Sequence, residues 1–308
     1  MKDKMNLVLV NFSTAWGDKE ANLASMKGYI KQAGENGADM IVFPETALTG
    51  YANEPDKPRK DKMHAHLAET VPGPTTDIFG EYAKKYNMYI VFGLAEAAND
   101  TVYNSAAVIY PDGHVDCYRK IHLPFDEAEW AVNGDKPLII DSEFGPIGIA
   151  ICYDMYCFPE LIRYYRAMGC RMVLNVTACP DVNCTAWSYR LALPAYAFVN
   201  YMYIATSNIW GKERGNDNAP TFHAGSSVIG PNENADGVKT YLGKFYDGGD
   251  GGAEGLIQGE IDLSIPDAVA QIPVFRYNEA SGEQDWRGDL YAEIFKEARA
   301  KFKAEHNN

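Results

Sequence analysis

Runs of uninterrupted apolar residues alternate with helical patterns along most of this chain. Residues 5–12 form the first run, residues 18–34 carry apolar side chains at helical spacing, and residues 40–43 form a second run. Helical patterns at 75–86, 159–168 and 195–200 then lead into apolar runs at 88–94, 171–176 and 201–207. Because these runs do not alternate apolar with polar side chains, both faces of each strand should be buried. The order predicts an α/β fold.

A hairpin interrupts this pattern and makes the predicted sheets mixed. Residues 105–110 and 115–118 flank the turn Pro111-Asp112-Gly113. The glycine-rich stretch 246–255 is short and precedes another strand at 256–261, so it indicates a loop rather than a linker. We therefore expect a single domain over residues 1–308. Residues 288–306 predict an amphipathic helix that packs on this domain or lies at an oligomer interface.

Charge and composition exclude several classes of partner. The chain has 28 Lys and Arg against 42 Asp and Glu, and its net charge of −14 disfavours nucleic acid and anionic membranes as partners. No apolar run reaches the roughly 18 residues that span a bilayer, and the N-terminus lacks a signal-peptide pattern, so we expect a cytoplasmic protein. The six cysteines form no CxxC pair, which argues against a disulfide scaffold, a zinc site and a redox role: Cys117, Cys152, Cys157, Cys170, Cys179 and Cys184.

Three residues with chemical potential lie at predicted strand ends. Glu45 follows the apolar run 40–43, where partial desolvation would raise its pKa and make it a base, although a solvated strand end is equally compatible. Lys120 and His122 follow the hairpin strand, where a lysine is more often a solvent-facing charge and a histidine more often a structural group. Cys152 ends a third apolar strand and precedes a helix near Pro159.

The combination is more informative than any single residue. A buried cysteine alone is usually a small apolar side chain. A thiol at a strand-to-helix turn, however, can be followed by backbone N–H groups that face a developing oxyanion. A base, a cation and a thiol at neighbouring strand ends are the groups that acyl transfer requires.

Three motifs identify a family resemblance. The stretches FPETALTGY, YRKIHLPF and ICYDMYCFPE occur in this order, accompanied by PGPTT, NSAAVIYPDG and RGDLY. They resemble the motifs of the nitrilase superfamily of carbon–nitrogen hydrolases, and the similarity covers nearly the whole chain. The resemblance implies a four-layer αββα sandwich with mixed β-sheets, commonly paired into homodimers or larger homo-oligomers. It places the catalytic glutamate, lysine and cysteine at Glu45, Lys120 and Cys152, with no metal or organic cofactor.

Many members of this superfamily carry a second glutamate shortly after the lysine. Glu127 and Glu129 are the two candidates, and Glu127 fits best because it follows Lys120 by seven residues. We expect it to position Lys120 or the leaving amine. A loop charge on the surface is the alternative interpretation.

The expected reaction is hydrolysis of a small amide or N-carbamoyl amine through a thioester on Cys152. Lys120 and the backbone N–H of Tyr153 would hold the oxyanion. The residues after the cysteine differ from the Cys-Trp-Glu of true nitrilases and include no arginine to bind a carboxylate, so a neutral or partly apolar amide is favoured. Further expected substrate contacts, for which core packing is the alternative, are Tyr51, Thr177, Ala178 and Trp187.

Other functions remain open on the sequence alone. The same three groups could hydrolyse a nitrile or transfer the acyl group to an amine or hydroxyl. A catalytically inactive scaffold that retains the fold is a further alternative. Reaction products, and reactivity of the thiol, would separate these possibilities.

Overall fold

The computed structural model describes residues 1–270, 275 and 277–306, except for the side chains of residues 183 and 184. The chain divides into two compact units, residues 1–269 and residues 270–308. The strands of the first unit are β1 (Lys4–Asn11), β2 (Met40–Val42), β3 (Tyr89–Ala98), β4 (Thr101–Ile109), β5 (Val115–Arg119), β6 (Leu138–Ser142), β7 (Gly145–Ile151), β8 (Met172–Thr177), β9 (Tyr203–Asn208), β10 (Trp210–Lys212), β11 (Thr221–His223), β12 (Ser227–Pro231), β13 (Val238–Gly243) and β14 (Gly255–Asp262).

The helices of this unit follow the same alternation. They are α1 (Lys19–Glu35), α2 (Met63–Leu67), α3 (Pro74–Tyr86), α4 (Tyr153–Cys157), α5 (Pro159–Ala167), α6 (Asn183–Asn200) and α7 (Ile265–Val269). Asp18 caps α1 by accepting a hydrogen bond from the backbone N–H of Ala21 at 3.0 Å. The predicted helix at 195–200 is only the last part of α6, which continues through Pro194 because a proline removes a single N–H donor without always ending the helix.

Two six-stranded mixed sheets form the centre of the unit. The first has the order β14-β1-β2-β3-β4-β5 and the second β13-β12-β9-β8-β7-β6. In each sheet three parallel strands, β1-β2-β3 or β7-β8-β9, are flanked by antiparallel ones. The mixed sheets that the hairpin predicts are therefore confirmed.

Apolar side chains fill the layers on both faces of the first sheet. Alternate residues of β1, such as Leu7 and Leu9, pack towards the second sheet, and Val8 and Val10 pack towards α1 and α3. Helices α4, α5 and α6 cover the other face of the second sheet. This is the predicted four-layer αββα sandwich, and burial on both faces explains why the strand sequences do not alternate.

The second unit is small. Within its described residues it contains β15 (Tyr277–Asn278), β16 (Glu283–Gln284) and α8 (Gly288–His306). No side chain of α8 is buried, and its exposed apolar residues include Leu290, Ile294 and Phe302. The predicted role of this helix at an oligomer interface stays a prediction.

Among the described residues, no helix is both long and apolar enough to cross a membrane.

Candidate active site

The three groups predicted at strand ends meet where the two sheets adjoin. Glu45 follows β2, Lys120 follows β5 in the same sheet, and Cys152 follows β7 in the other sheet. Glu45 and Lys120 have no solvent exposure and Cys152 is 4% exposed. The Nζ atom of Lys120 lies 2.7 Å from Oε1 of Glu45. The fold therefore brings together residues that are more than 100 positions apart in the chain.

Glu127 lies on the other side of the same lysine. Its Oε2 atom is 2.7 Å from Nζ of Lys120, and its side chain is buried. Glu129, the competing candidate, is instead about half exposed and accepts hydrogen bonds from Asn53 and Lys62 at 2.9 and 3.0 Å. Glu127 therefore binds Lys120 whereas Glu129 binds other partners, although the two glutamates are only two residues apart in the sequence.

The two carboxylates control the charge of the buried ammonium. Burial alone would lower the pKa of Lys120, but the negative charges of Glu127 and Glu45 outweigh it and raise this pKa above its ordinary value. Burial raises the pKa of Glu127 to about 7, although Lys120 opposes that shift. Lys120 therefore stays charged at neutral pH, while Glu127 titrates in the physiological range.

Asn104 also joins the two carboxylates. Its Nδ2 donates to Oε1 of Glu45 at 2.7 Å and to Oε1 of Glu127 at 2.8 Å. The backbone N–H of Ala178 donates to the second oxygen of Glu45 at 2.8 Å. Our sequence reasoning missed this asparagine, although it begins the NSAAVIYPDG stretch that contributes to the family resemblance.

Cys152 occupies a strained turn between β7 and α4. Its backbone has φ 51°, a left-handed conformation that is uncommon for a residue other than glycine and is often retained at functional sites. Burial raises the pKa of its thiol, with Glu45 adding to the rise and Lys120 opposing it. A raised pKa favours the neutral thiol, which would have to lose its proton in order to act as a nucleophile.

A cavity of about 480 Å³ opens directly onto this thiol. Its described lining contains three of the predicted substrate contacts, Tyr51, Tyr153 and Ala178. No Lys, Arg or His side chain is part of that lining. Besides Cys152, its other members are mainly aromatic, aliphatic or small side chains: Pro124, Phe125, Asp126, Tyr156, Cys157, Pro180, Val182, Thr185 and Ser188. The site can hold a small molecule without offering it a positive partner from these walls.

Two predicted contacts are placed elsewhere. Thr177 is fully buried, its Oγ1 lies 2.5 Å from the hydroxyl of Tyr156, and its side chain also hydrogen-bonds with Cys152, but it is not part of the cavity lining. Trp187 is 54% exposed on α6 and stacks with Arg190, whose guanidinium carbon is 4.1 Å from the ring centroid. At 100° per residue, position 187 points away from Thr185 and Ser188, which do face the cavity. The prediction of Trp187 as a cavity wall is therefore corrected.

Cys117, Cys152, Cys170 and Cys179 are free thiols in the structure, and the side chain of Cys184 lies outside the described residues. Within the described part of the chain, no three His, Cys, Asp or Glu side chains are grouped so that they could hold a metal ion.

Comparison with known proteins identifies the family to which this site belongs. The carbon–nitrogen hydrolase model matches residues 8–265, so the chain belongs to the carbon–nitrogen hydrolase family. It is an enzyme of the class that hydrolyses carbon–nitrogen bonds other than peptide bonds, and the resemblance to the nitrilase superfamily is confirmed.

Individual relatives share sequence with much of the chain. A nitrilase from Pyrococcus abyssi is 34% identical over 200 residues, which cover 64% of this chain and 72% of that protein. An omega-amidase from Homo sapiens is 28% identical over 291 residues, which cover 89% of this chain and 92% of the relative.

Solved structures share the fold. A branch 10 member of the nitrilase superfamily from Saccharomyces cerevisiae has a TM-score of 0.73 at 24% identity, covering 90% of this chain and 97% of its own. An amidase from Nesterenkonia sp. has a TM-score of 0.69 at 22% identity, covering 87% and 94% of the two chains.

Proposed function

We propose that this enzyme is a cysteine-dependent amidohydrolase that cleaves the carbon–nitrogen bond of a small amide through a thioester intermediate. The observation that carries the proposal is the buried arrangement of Glu45, Lys120 and Glu127 beside the Cys152 thiol, which faces a largely apolar cavity. Similarity to omega-amidases supports an amide as the substrate.

The first half of the reaction forms the thioester. Glu45 takes the proton of the Cys152 thiol as sulfur attacks the carbonyl carbon, and the carbonyl oxygen becomes an oxyanion. The ammonium of Lys120 and the backbone N–H of Tyr153 stabilise that charge. Glu45 then returns the proton to the substrate nitrogen, the carbon–nitrogen bond breaks, and ammonia or an amine leaves.

The second half regenerates the thiol. Glu45 removes a proton from a water molecule, which attacks the thioester carbon. The carbon–sulfur bond breaks, sulfur regains the proton from Glu45, and a carboxylic acid is released. Glu127 does not exchange a proton in these steps; it keeps Lys120 charged and in place.

The cavity favours a neutral substrate. Because its described lining contains no cationic side chain, and because Lys120 already binds two carboxylates, an anionic group on the substrate would be desolvated without a partner. A volume of about 480 Å³ fits a small molecule. We therefore place small neutral amides ahead of N-carbamoyl amino acids, and ahead of nitriles because Tyr153 and Asp154 follow the nucleophile.

We also propose a homodimer or larger homo-oligomer that acts in the cytoplasm. Exposed apolar side chains gather on neighbouring helices, with Tyr164 on α5 and Trp187, Leu191 and Val199 on α6. The free thiols of Cys117, Cys152, Cys170 and Cys179 are compatible with a reducing compartment.

The direct test measures ammonia release from small amides, carbamoyl amines and nitriles, with intact-protein mass spectrometry to detect the acyl adduct. Cys152→Ala should abolish both ammonia release and the adduct, because the attacking atom is lost. Cys170→Ala removes a buried free thiol far along the chain from the nucleophile and serves as the matched control.

Three outcomes would contradict the proposal. If Cys152→Ala kept more than about a tenth of the activity, the covalent mechanism would be wrong. Acyl transfer to added hydroxylamine that greatly exceeded hydrolysis would favour a transferase. An unreactive Cys152 together with no turnover on any substrate would favour an inactive scaffold.

A further inference from the structure

A buried carboxylate outside the four proposed catalytic residues connects two of the catalytic segments. Asp154 has no solvent exposure. Its Oδ2 accepts the hydroxyl of Tyr118 at 2.7 Å and the backbone N–H groups of Ile121 and Ile151, both at 3.4 Å. Its Oδ1 accepts the backbone N–H of His122 at 2.9 Å, and Nδ1 of the same histidine lies 2.8 Å away.

The residues that donate to Asp154 belong to the segments that carry Lys120 and Cys152. Three of the partner residues flank Lys120 on the chain and the fourth, Ile151, immediately precedes Cys152. Asp154 itself lies two residues after Cys152, in the short helix α4. The contacts to the lysine segment span 32 to 36 positions, so they are tertiary contacts and not part of a local turn.

His122 is held from a second direction. Its ring stacks on Phe158 with centroids 3.4 Å apart and planes inclined by 7°. Phe158 in turn packs edge-on against Tyr153, the residue after the nucleophile, at 5.3 Å. The lysine and cysteine segments are therefore joined by a polar contact at Asp154 and by a chain of rings beside it.

We infer that Asp154 is a positioning residue. Its carboxylate fixes the Lys120 segment against the Cys152 turn, so that the ammonium of Lys120 and the thiol of Cys152 reach the same carbonyl group of the substrate. The inference rests on the proposed amidohydrolase function. Asp154 does not touch the reacting atoms. Its loss would leave several buried donors without an acceptor and would let the two segments separate, and misplacement of a catalytic group by about 1 Å can cost about 100-fold in rate.

The principal experiment compares Asp154→Asn with Glu69→Gln. Both changes replace a buried, hydrogen-bonded carboxylate with an amide of nearly the same shape, but Glu69 binds Thr75 at the start of α3 and Lys19 at the start of α1, and neither partner belongs to the catalytic segments. We expect Asp154→Asn to lower kcat at least about 30-fold with KM changed less than about 3-fold, since the cavity walls remain. Glu69→Gln should leave kcat within about 2-fold of wild type.

An activity-independent measurement separates this inference from the proposed function. The rate of Cys152 alkylation by iodoacetamide, measured on folded protein, should fall at least about 5-fold in Asp154→Asn and remain unchanged in Glu69→Gln. If wild-type protein hydrolyses no amide but these alkylation rates behave as expected, the proposed substrate fails while the positioning role stands.

A milder pair of variants keeps the test informative if Asp154→Asn does not fold. Tyr118→Phe removes one donor, and His122→Phe retains the stacking on Phe158 while removing the ring donor. Each should lower kcat about 3- to 10-fold with little change in KM. The inference is overturned if the folded Asp154 variant, or both milder variants, show wild-type kcat and wild-type alkylation rates.

Discussion

At the scale of single residues, the buried carboxyl of Glu127 determines how the site responds to pH. Its pKa of about 7 is raised by burial, so the carboxyl gains a proton as pH falls through neutrality. Protonation removes one of the two negative charges that balance Lys120. We predict that kcat/KM rises with pH through an apparent pKa near 7. This value describes Glu127 together with the neighbouring charges of Lys120 and Glu45.

The Glu127→Gln variant tests the assignment, because glutamine cannot titrate. Its kcat/KM should be lower than wild type and should lose the step near pH 7. The measurement is a pH–rate profile with the fold checked at each pH by circular dichroism. A step of unchanged position and size in the variant would assign the titration to another group.

The sequence could locate the main residues of the site but not their hydrogen-bond partners. Glu45, Lys120 and Cys152 each follow a strand, and for Glu45 and Cys152 that strand is an uninterrupted apolar run, which is a local signal. Asn104 and Asp154 act through contacts across sheets and segments that are set by strand register, and no local pattern reveals that register. Glu213 was missed for the same reason: it lies beyond β10 and accepts the backbone N–H groups of Tyr51, which lines the cavity, and of Ala52, at 2.6 and 2.9 Å.

At the scale of elements, the turn that carries Glu45 depends on close approach to β3. The backbone N–H of Gly93 donates to the carbonyl of Pro44 at 3.0 Å. A Cβ atom at position 93 would lie 2.4 Å from the backbone nitrogen of Thr46 and 2.6 Å from Cα of Glu45. Only glycine allows this strand and this turn to be so close.

Gly93→Ala should therefore displace the Glu45 turn. We predict a loss of about 1–3 kcal/mol in the free energy of unfolding and a drop in kcat of at least about 10-fold, because the obstructing atoms are backbone. Gly28→Ala is the matched control: position 28 lies on the exposed side of α1 with no atom within 4 Å of a new Cβ, so this change should stabilise the protein by about 0.5–1 kcal/mol. Urea denaturation and steady-state kinetics would measure both. Wild-type kcat in Gly93→Ala would show that the turn tolerates the shift.

The extent of the elements was predictable where apolar periodicity is regular. Helix α1 and strand β2 agree with the sequence pattern to within one residue at each end. The first turns of α6 were not recognised: the sequence pattern predicts a helix only over 195–200, whereas α6 begins at Asn183. Helical phase along α6 also decides that Trp187 faces away from the cavity, and that phase cannot be read when the helix start is unknown.

At the scale of the whole molecule, the exposed apolar face of α6 bears on assembly. Trp187 and Leu191 are four residues apart and 54% and 64% exposed. Such a concentration of apolar surface is typical of an interface between protein chains. We predict that Leu191→Glu lowers the molar mass measured by light scattering, by dissociating the homo-oligomer at this face.

Leu290→Glu provides the comparison, because Leu290 is 47% exposed on α8 in the second unit. If neither variant changes the molar mass of an oligomeric wild type, the contact lies elsewhere. A monomeric wild type at micromolar concentration would refute the proposal of a stable oligomer.

Both sheets contribute to the proposed catalytic groups of this enzyme. Glu45 and Lys120 follow strands of one sheet and Cys152 follows a strand of the other, and hydrogen bonds such as the one of 2.8 Å from Ala178 to Glu45 join the two sides at the site. If one sheet slides over the other by a fraction of an ångström, the distances between these groups change and turnover should fall. Such a displacement hardly alters the secondary structure or the buried area. The turnover rate is therefore sensitive to the alignment of the two sheets. A substitution in the core between the sheets can lower this rate while leaving the melting temperature unchanged.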